Sequence, residues 1–257
     1  MSRIEPRLIH IAETDSTNRY LRMIIETERL VSGSIVHADF QTAGRGVSGS
    51  SWESEAGKNL TFSVLYYPED IPANRSFIIA EMASLCVKFT LEKYIHDVTV
   101  KWPNDVYCGD KKITGILIEN TLFQGKITQS IIGIGINVNQ ALFHSEAPNP
   151  VSMAQVADVE FDRMTIMNDF RQIFMEQCGR LSKLHNFAVV HDNYLNALYR
   201  KTGFHSYRDC QGVFEAVLHD IEPTGHLVLK RVDGSISRYA FKEVGIVIAR
   251  DEAIQLH

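Results

Sequence analysis

KWPNDVYCGDKKITGILIE, running from Lys101 to Glu119, decides how this chain folds. Its residues extend two short strand-like runs, Thr99–Trp102 and Asp105–Cys108, and open a longer one, Ile113–Leu122. Gly109–Asp110 breaks the series with residues that tolerate a tight reversal, so the flanking runs read as a hairpin. A fourth run, Ile127–Val138, extends the series, and it contains IIGIGINVN, Ile131 to Asn139, up to its penultimate residue. Upstream, Ile78, Met82, Leu85 and Phe89 recur at three- and four-residue steps, which predicts a helix from Asn74 to about Tyr94. Consecutive strands beside long helices read as an α+β layer, a mixed or antiparallel sheet with helices on one face.

The N-terminal third adds strands at Leu8–Glu13 and Ser34–Phe40 and a helix from Thr17 to about Glu28, capped by Asp15 or Ser16. Leu60, Phe62, Val64 and Tyr66 alternate with Thr61, Ser63 and Leu65, the pattern of a half-buried strand, and Pro68–Pro72 marks a turn. Asn139 to about Asp162, with Pro148 and Pro150, reads as irregular, and Met164–Leu184 and Phe187–Tyr199 as helices. From about Ser206 the character changes to short β-rich runs, Gly212–Ile221, His226–Val232, Ile236–Phe241 and Val244–Ile248, with turns at Pro223–Gly225 and Asp233–Gly234. The expected division is a large domain over 1–205 and a small β domain over 206–257, too short for a confident independent core.

Gln41–Asn59, QTAGRGVSGSSWESEAGKN, has neither period. A structureless stretch of this length inside a compact domain is functional or disordered. Its glycines allow close approach to a ligand, and Arg45 offers a planar fork of donors suited to carboxylate or phosphate. The alternative is a flexible surface linker.

The chain has 257 residues, 45% hydrophobic and 22% charged, with a net charge of −5 and no basic block. That argues against a dedicated nucleic-acid binder. MSRIEPRL lacks an apolar run, no stretch is long enough to span a membrane, and the expected location is cytoplasmic. Cys86, Cys108, Cys178 and Cys210 are scattered without a CxxC, so reduced thiols are expected. The ten histidines, His185 and His191 among them, show no ligand spacing.

KWPND with its following lysine and GILIE, together with IIGIGINVN, DSTNRYL (Asp15–Leu21) and QTAGRG…W, resembles the biotin–protein ligases, in that family's order and spacing over nearly the whole chain. The resemblance implies a class II synthetase-like catalytic domain and a C-terminal SH3-like barrel. It implies ATP-dependent activation of biotin to biotinyl-AMP and transfer to a lysine of a biotin carboxyl carrier protein, with ATP and Mg²⁺ required. A homodimer is left open, and neither nucleic acid nor membrane is an expected partner.

Joining a carboxylate to ATP brings two anions together, so the site needs fixed positive charge at the reacting centre. The resemblance gives that role to Lys112, with Arg45 and Asp105 as the other catalytic residues and Asp105 as the metal ligand. Without the motif, Lys112 reads as a solvated turn lysine, as Lys111 does, and Asn104–Asp105 as an Asx turn. Ser16, Thr17 and Asn18 at a helix start, with Gln41, form a donor and acceptor cluster suited to a ureido ring. Gly44, Arg45, Gly46, Lys112 and Gly115 complete the expected biotin contacts. Lys101, Asn104, Asp105, Gly133, Gly135 and Asn137 are expected at the nucleotide with Arg45, and Trp52 is expected to pack on adenine. Gly133 and Gly135 leave one strand face bare, as a shelf under a flat ring requires.

Two departures stand out. Where the family often has GRGRxGRxW, this chain has GRGVSGSSW, so Val47 and Ser50 replace arginines; Lys58 is a candidate to restore charge, or is simply solvated. DSTN begins at residue 15, which leads to the expectation of a short form without a DNA-binding domain. The rival readings are a lipoate- or octanoate-protein ligase, which KWPND and GRG…W disfavour, a biotin-sensing regulator without turnover, and a non-catalytic interaction protein.

Overall fold

The structure, a computed structural model, describes residues 4–144, 149–184 and 187–248; Pro148 and His185 lie outside them. The first sheet contains β1 (Leu8–Thr14), β2 (Ile35–Gln41), β3 (Leu60–Tyr66), β4 (Ile71–Pro72), β5 (Val98–Lys101), β6 (Asp105–Cys108), β7 (Lys111–Phe123) and β8 (Lys126–Ile136). Its order is β1-β2-β3-β8-β7-β6-β5, with β4 also paired to β8. β1 and β2 run parallel and the other pairs antiparallel, so the sheet is mixed. The Lys101–Glu119 stretch forms the predicted hairpin, and Gly109 turns it at φ 55°.

The helices are α1 (Thr17–Ile25), α2 (Phe77–Leu91), α3 (Met153–Ala157), α4 (Arg163–Leu184) and α5 (Phe187–Ala197). They do not all lie on one face. Ile79 and Met82 of α2, Phe170 and Phe174 of α4 and Tyr194 of α5 share a core with Phe62, Val64, Ile132 and Ile134. Leu21 and Ile24 of α1 pack with Leu65 and Ile131, which point the other way from the same strands. This two-sided cover explains why β3 is buried along its whole length rather than half-buried.

α2 also departs from a one-sided stripe: Glu81, Ser84 and Thr90 are buried along with its apolar residues. α3 was not foreseen within the irregular stretch, although Ser152 and Gln155 form a capping box there.

The second sheet contains β9 (His205–Asp209), β10 (Gly212–Ile221), β11 (Leu227–Arg231), β12 (Ile236–Tyr239) and β13 (Gly245–Ile246), in the order β12-β11-β10-β9-β13. Among the described residues no pairing of β12 with β13 closes it into a barrel. Tyr207, Ala216, Leu229 and Tyr239 belong to the same connected core as the helices, so this sheet is packed on the rest and not tethered to it. Gly225 shows how closely: it sits at φ 91°, and a Cβ there would lie 2.6 Å from the Phe77 ring.

Candidate active site

The site lies on the α1 face of the first sheet. Gly115 of β7 pairs with Gly135 of β8, and Leu117 with Gly133, so three glycines face the same side. Under α1 that face carries Leu65 and Ile131; beyond α1 it drops to glycine and leaves a cleft.

One end of the cleft is a hydrogen-bonded chain at the start of α1. Ser16 is the N-cap, but its hydroxyl makes no capping bond. Gln41, at the end of β2, does the work instead: its Oε1 accepts from the Thr17 backbone N–H at 2.8 Å and from Thr17 Oγ1 at 3.1 Å. Ser63 Oγ lies 2.7 Å from Thr17 Oγ1 and 2.6 Å from Asn18 Oδ1. Asn18 Nδ2 donates to Glu119 Oε2 at 2.8 Å, which fixes the orientation of its amide from both ends. Gly133 has to be small, because a Cβ there would stand 2.4 Å from Asn18 Oδ1. Ser16, Thr17, Asn18 and Ser63 are all buried.

The other end is an ion pair. Lys112 Nζ donates to Asp105 Oδ2 at 2.7 Å, with both side chains about a quarter exposed (23% and 28%). The lysine backbone is pinned separately, with its N–H on Asn149 O at 2.8 Å and its carbonyl accepting from Val151 N at 2.9 Å. Asn137 holds that segment through Nδ2 to Val151 O at 3.1 Å, and its Oδ1 is buried without a partner. Asn137 thus braces Lys112 and is not among the cleft-lining residues.

Asn104 Nδ2 donates to Ile116 O at 2.8 Å, and Tyr194 donates its hydroxyl to Pro103 O at 2.7 Å across a cis Trp102–Pro103 bond. Burial, with Glu81 and Asp105 nearby, pushes the Tyr194 hydroxyl well above its ordinary range, so it remains a donor.

The glycine stretch is folded rather than structureless. Gly46 N–H donates to Ser50 O at 2.6 Å, Trp52 N–H to Gly44 O at 2.9 Å, and Val47–Gly49 makes a 3₁₀ turn. Gly44 must be small here, since a Cβ would meet Trp52 O at 2.5 Å. The Trp52 indole lies on the glycine floor: Cβ atoms added at Gly135 and Gly115 would come within 2.3 and 2.9 Å of its ring. Its Nε1 is buried without a hydrogen-bond partner. Arg45 faces Glu119, Nη2 to Oε1 at 3.8 Å, on the α1 side of the cleft.

The structure therefore gathers Ser16, Thr17, Asn18, Gln41, Arg45, Gly46, Trp52, Asn104, Asp105, Lys112, Gly115, Gly133 and Gly135 around one cleft. Gly44 shapes the loop from behind. Lys101 is set apart; its ammonium lies over the Tyr107 ring and donates to that hydroxyl at 3.1 Å. Lys58 faces Glu160 at 3.6 Å and does not line the cleft, so it is no substitute for the loop arginines.

Sequence reasoning assigned no role to Ser63, Glu119, Phe241 or Lys242. Glu119 was within reach, because it shares the face of Gly115 and Leu117 at a two-residue period. Phe241 and Lys242 reach the cleft from the second sheet, which no local pattern announces.

Residues 11–137 match the model of the biotin/lipoate A/B protein ligase family. The chain is 38% identical over 157 residues to the bifunctional ligase/repressor BirA of Escherichia coli K12, covering 59% of this chain and 47% of that one. It is 31% identical over 137 residues to the biotin–[acetyl-CoA-carboxylase] ligase of Mycobacterium tuberculosis, covering 51% of this chain and 49% of that one. It spans about half the length of the curated relatives it matches. Among solved structures, the biotin protein ligase of Aquifex aeolicus in complex with biotin and ATP superposes with a TM-score of 0.74 at 25% identity, over 94% of this chain and 98% of that one. By its motif-bearing sheet and by these matches, residues 11–137 of the chain carry a domain of the biotin/lipoate A/B protein ligase family.

Proposed function

We propose that this chain is a biotin–protein ligase, with its catalytic part in 1–205 and a supporting β domain in 206–257. The observation that carries the reading is the two-ended cleft. A buried amide–hydroxyl chain suited to a ureido ring stands at one end, and the Lys112–Asp105 pair at the other, across a glycine floor. A ligand with a cyclic urea and a distant carboxylate matches both ends. The solved relative named for its complex with biotin and ATP supports the same ligands.

In the first step a biotin carboxylate oxygen attacks the α-phosphorus of ATP, and the bond to pyrophosphate breaks. Lys112 holds the carboxylate and the α-phosphate together and offsets the charge that builds between them. In the second step the ε-amine of a carrier lysine attacks the acyl carbon, loses a proton, and AMP leaves.

Asp105 would hold Mg²⁺. Its carboxylate lines the cleft with 28% of the side chain exposed, which suits a metal bound by one carboxylate, phosphate oxygens and water. When bound, the metal neutralises phosphate charge. The Trp52 ring and the folded loop shield the mixed anhydride from water.

The acceptor is a biotin carboxyl carrier protein or domain, and the proposed location is cytoplasmic. No helix among the described residues is long and apolar enough to cross a membrane.

The test is pyrophosphate exchange into ATP with biotin, lipoate and octanoate in parallel. Exchange dependent on biotin alone is expected; exchange with lipoate or octanoate instead would replace this reading. A second check concerns the amide chain. Ser63→Ala removes a hydroxyl that two buried oxygens share, at about 1–3 kcal/mol for the groups left unsatisfied. The KM for biotin should rise several-fold, with a smaller change in kcat, because Ser63 lies behind the cleft and acts by orienting the Thr17 hydroxyl and the Asn18 amide that line it. An unchanged KM would remove Ser63 from the site.

A further inference from the structure

We propose that Lys242, on the turn after β12, binds the phosphate chain of the nucleotide and supplies charge that the glycine loop lacks. The inference deepens the ligase reading and rests on it. Phe241 and Lys242 line the cleft together with Arg45, Asp105 and Lys112. The same two residues, with Asp105, also line a second cavity between the two sheets. Lys242 therefore stands where the two cavities meet beside Asp105.

Charge gives the first argument. The cleft lining holds three cations, Arg45, Lys112 and Lys242, and one carboxylate, Asp105, and Glu119 faces Arg45 from its rim, which leaves a formal surplus of one. Without Lys242 that surplus is gone, at a site that has to take a carboxylate and a triphosphate. Val47 and Ser50, which line the same cleft, bring no charge, and Lys58 is directed to Glu160.

Backbone conformation gives the second. Lys242 sits at φ 71°, in the left-handed region where glycine is at ease and a lysine is disfavoured. A side chain kept at such a position next to a cleft points to use. The turn that presents it is fixed. Ala240 N–H donates to Glu243 Oε2 at 2.7 Å, and Glu243 N–H to Ala240 O at 3.1 Å. The Phe241 ring packs edge-on against Trp102 at 6.1 Å, and Trp102 Nε1 donates to Gly225 O at 3.0 Å. The KWPND segment and the second sheet are thereby joined at the point where the lysine emerges.

The test uses Lys242→Gly and Lys242→Arg beside the unaltered 257-residue chain. Glycine suits the backbone angle, so loss of activity in that variant cannot be laid to strain, and its thermal unfolding should match or exceed the wild type. KM values for ATP and for pyrophosphate are measured in biotin-dependent exchange, and biotin affinity without nucleotide by calorimetry. In Lys242→Gly, both KM values should rise about tenfold, the effect of losing one charge-assisted contact to phosphate, while biotin affinity stays within about twofold. Lys242→Arg should restore both KM values to within about threefold. Unchanged KM values for ATP and pyrophosphate in Lys242→Gly overturn the proposal while leaving the ligase reading standing. A wild type without biotin-dependent exchange overturns the ligase reading itself.

Discussion

Replacing Lys112 by alanine is expected to lower biotin-dependent pyrophosphate exchange by about 10²–10³-fold, the usual cost of removing one preorganised donor from a reacting centre. The lysine's structural duties rest on its backbone, which bonds Asn149 and Val151 in strand-like fashion, and alanine keeps both bonds. Its side chain is 23% exposed and its stem lies beside Gly115, so the protein should stay folded with the unfolding midpoint lowered by only a few degrees. The loss should exceed that of a missing contact, because Asp105 then faces the incoming phosphates without its partner at 2.7 Å. Exchange and thermal unfolding on the same preparation settle it. Near-normal exchange in a folded Lys112→Ala protein would return Lys112 to the status of a solvated turn lysine.

The hairpin around Gly109–Asp110 and the strands beside it were legible because turn chemistry and alternation are local. The cleft was legible where its residues sit in contiguous strings: Asp105 and Lys112 do meet, and Gln41 does complete the cluster with Thr17. What failed depended on distant contacts. β3 reads as half-buried, and only the packing of α1 over Leu65 makes it central. Trp52 lies on the bare face that Gly115 and Gly135 make by pairing across two strands, a neighbour its own loop does not announce. Asn137 looked like a ligand amide by its period, but it lies past the end of β8 and is used to brace Val151. The share of the second sheet in the cleft, through Phe241 and Lys242, involves a separation of more than a hundred residues from Asp105 and has no local signature.

How that second sheet is held leads to the other large effect. Glu81 of α2 is buried, and its Oε1 lies 2.8 Å from His191 Nδ1 of α5. His191 Nε2 lies 3.3 Å from Asp220 Oδ1 of β10. The imidazolium thus links two helices of the first layer to the sheet that carries Lys242. Arg75, whose guanidinium lies over the Phe187 ring, is the other charged group lining the cavity beside this cluster. The hydrogen bond to Glu81 raises the His191 pKa to about 9, against the opposing effect of burial and with further help from Asp220. Burial raises the Glu81 carboxyl above its usual range, and the bond to His191 opposes that rise.

The signs follow. His191 has a folded pKa above its unfolded value, so its contribution is complete below about pH 6.5 and is lost as pH rises through about 9. Glu81, also raised, adds a loss as pH climbs above its ordinary carboxylate range, since the folded state then holds a buried charge that His191 must offset. Wild-type stability should therefore fall between about pH 6.5 and 9, and because the imidazole ring keeps some contact with water the His191 share is discounted to about 1–2 kcal/mol.

His191→Ala strands a carboxylate that is 2% exposed. Breaking a buried pair costs about 3–5 kcal/mol, and proton uptake by Glu81 would keep the loss toward the lower figure. His191→Ala should lower stability at pH 6 by about 3 kcal/mol, and its stability should keep falling as pH rises, because Glu81 without its partner is pushed further up; the variant lacking both groups should be nearly flat from about pH 6.5 to 9. The double variant Glu81→Gln, His191→Ala should recover part of the loss, because no charge is then left buried. Denaturant unfolding at pH 6, 7.5 and 9 measures all of this. If the double variant kept the wild-type slope with pH, neither the imidazole nor the Glu81 carboxyl would be the group that titrates. If the double variant were no more stable than the single one, the burial of Glu81 would not be what the histidine relieves, and the contact would count only as packing between α2, α5 and β10.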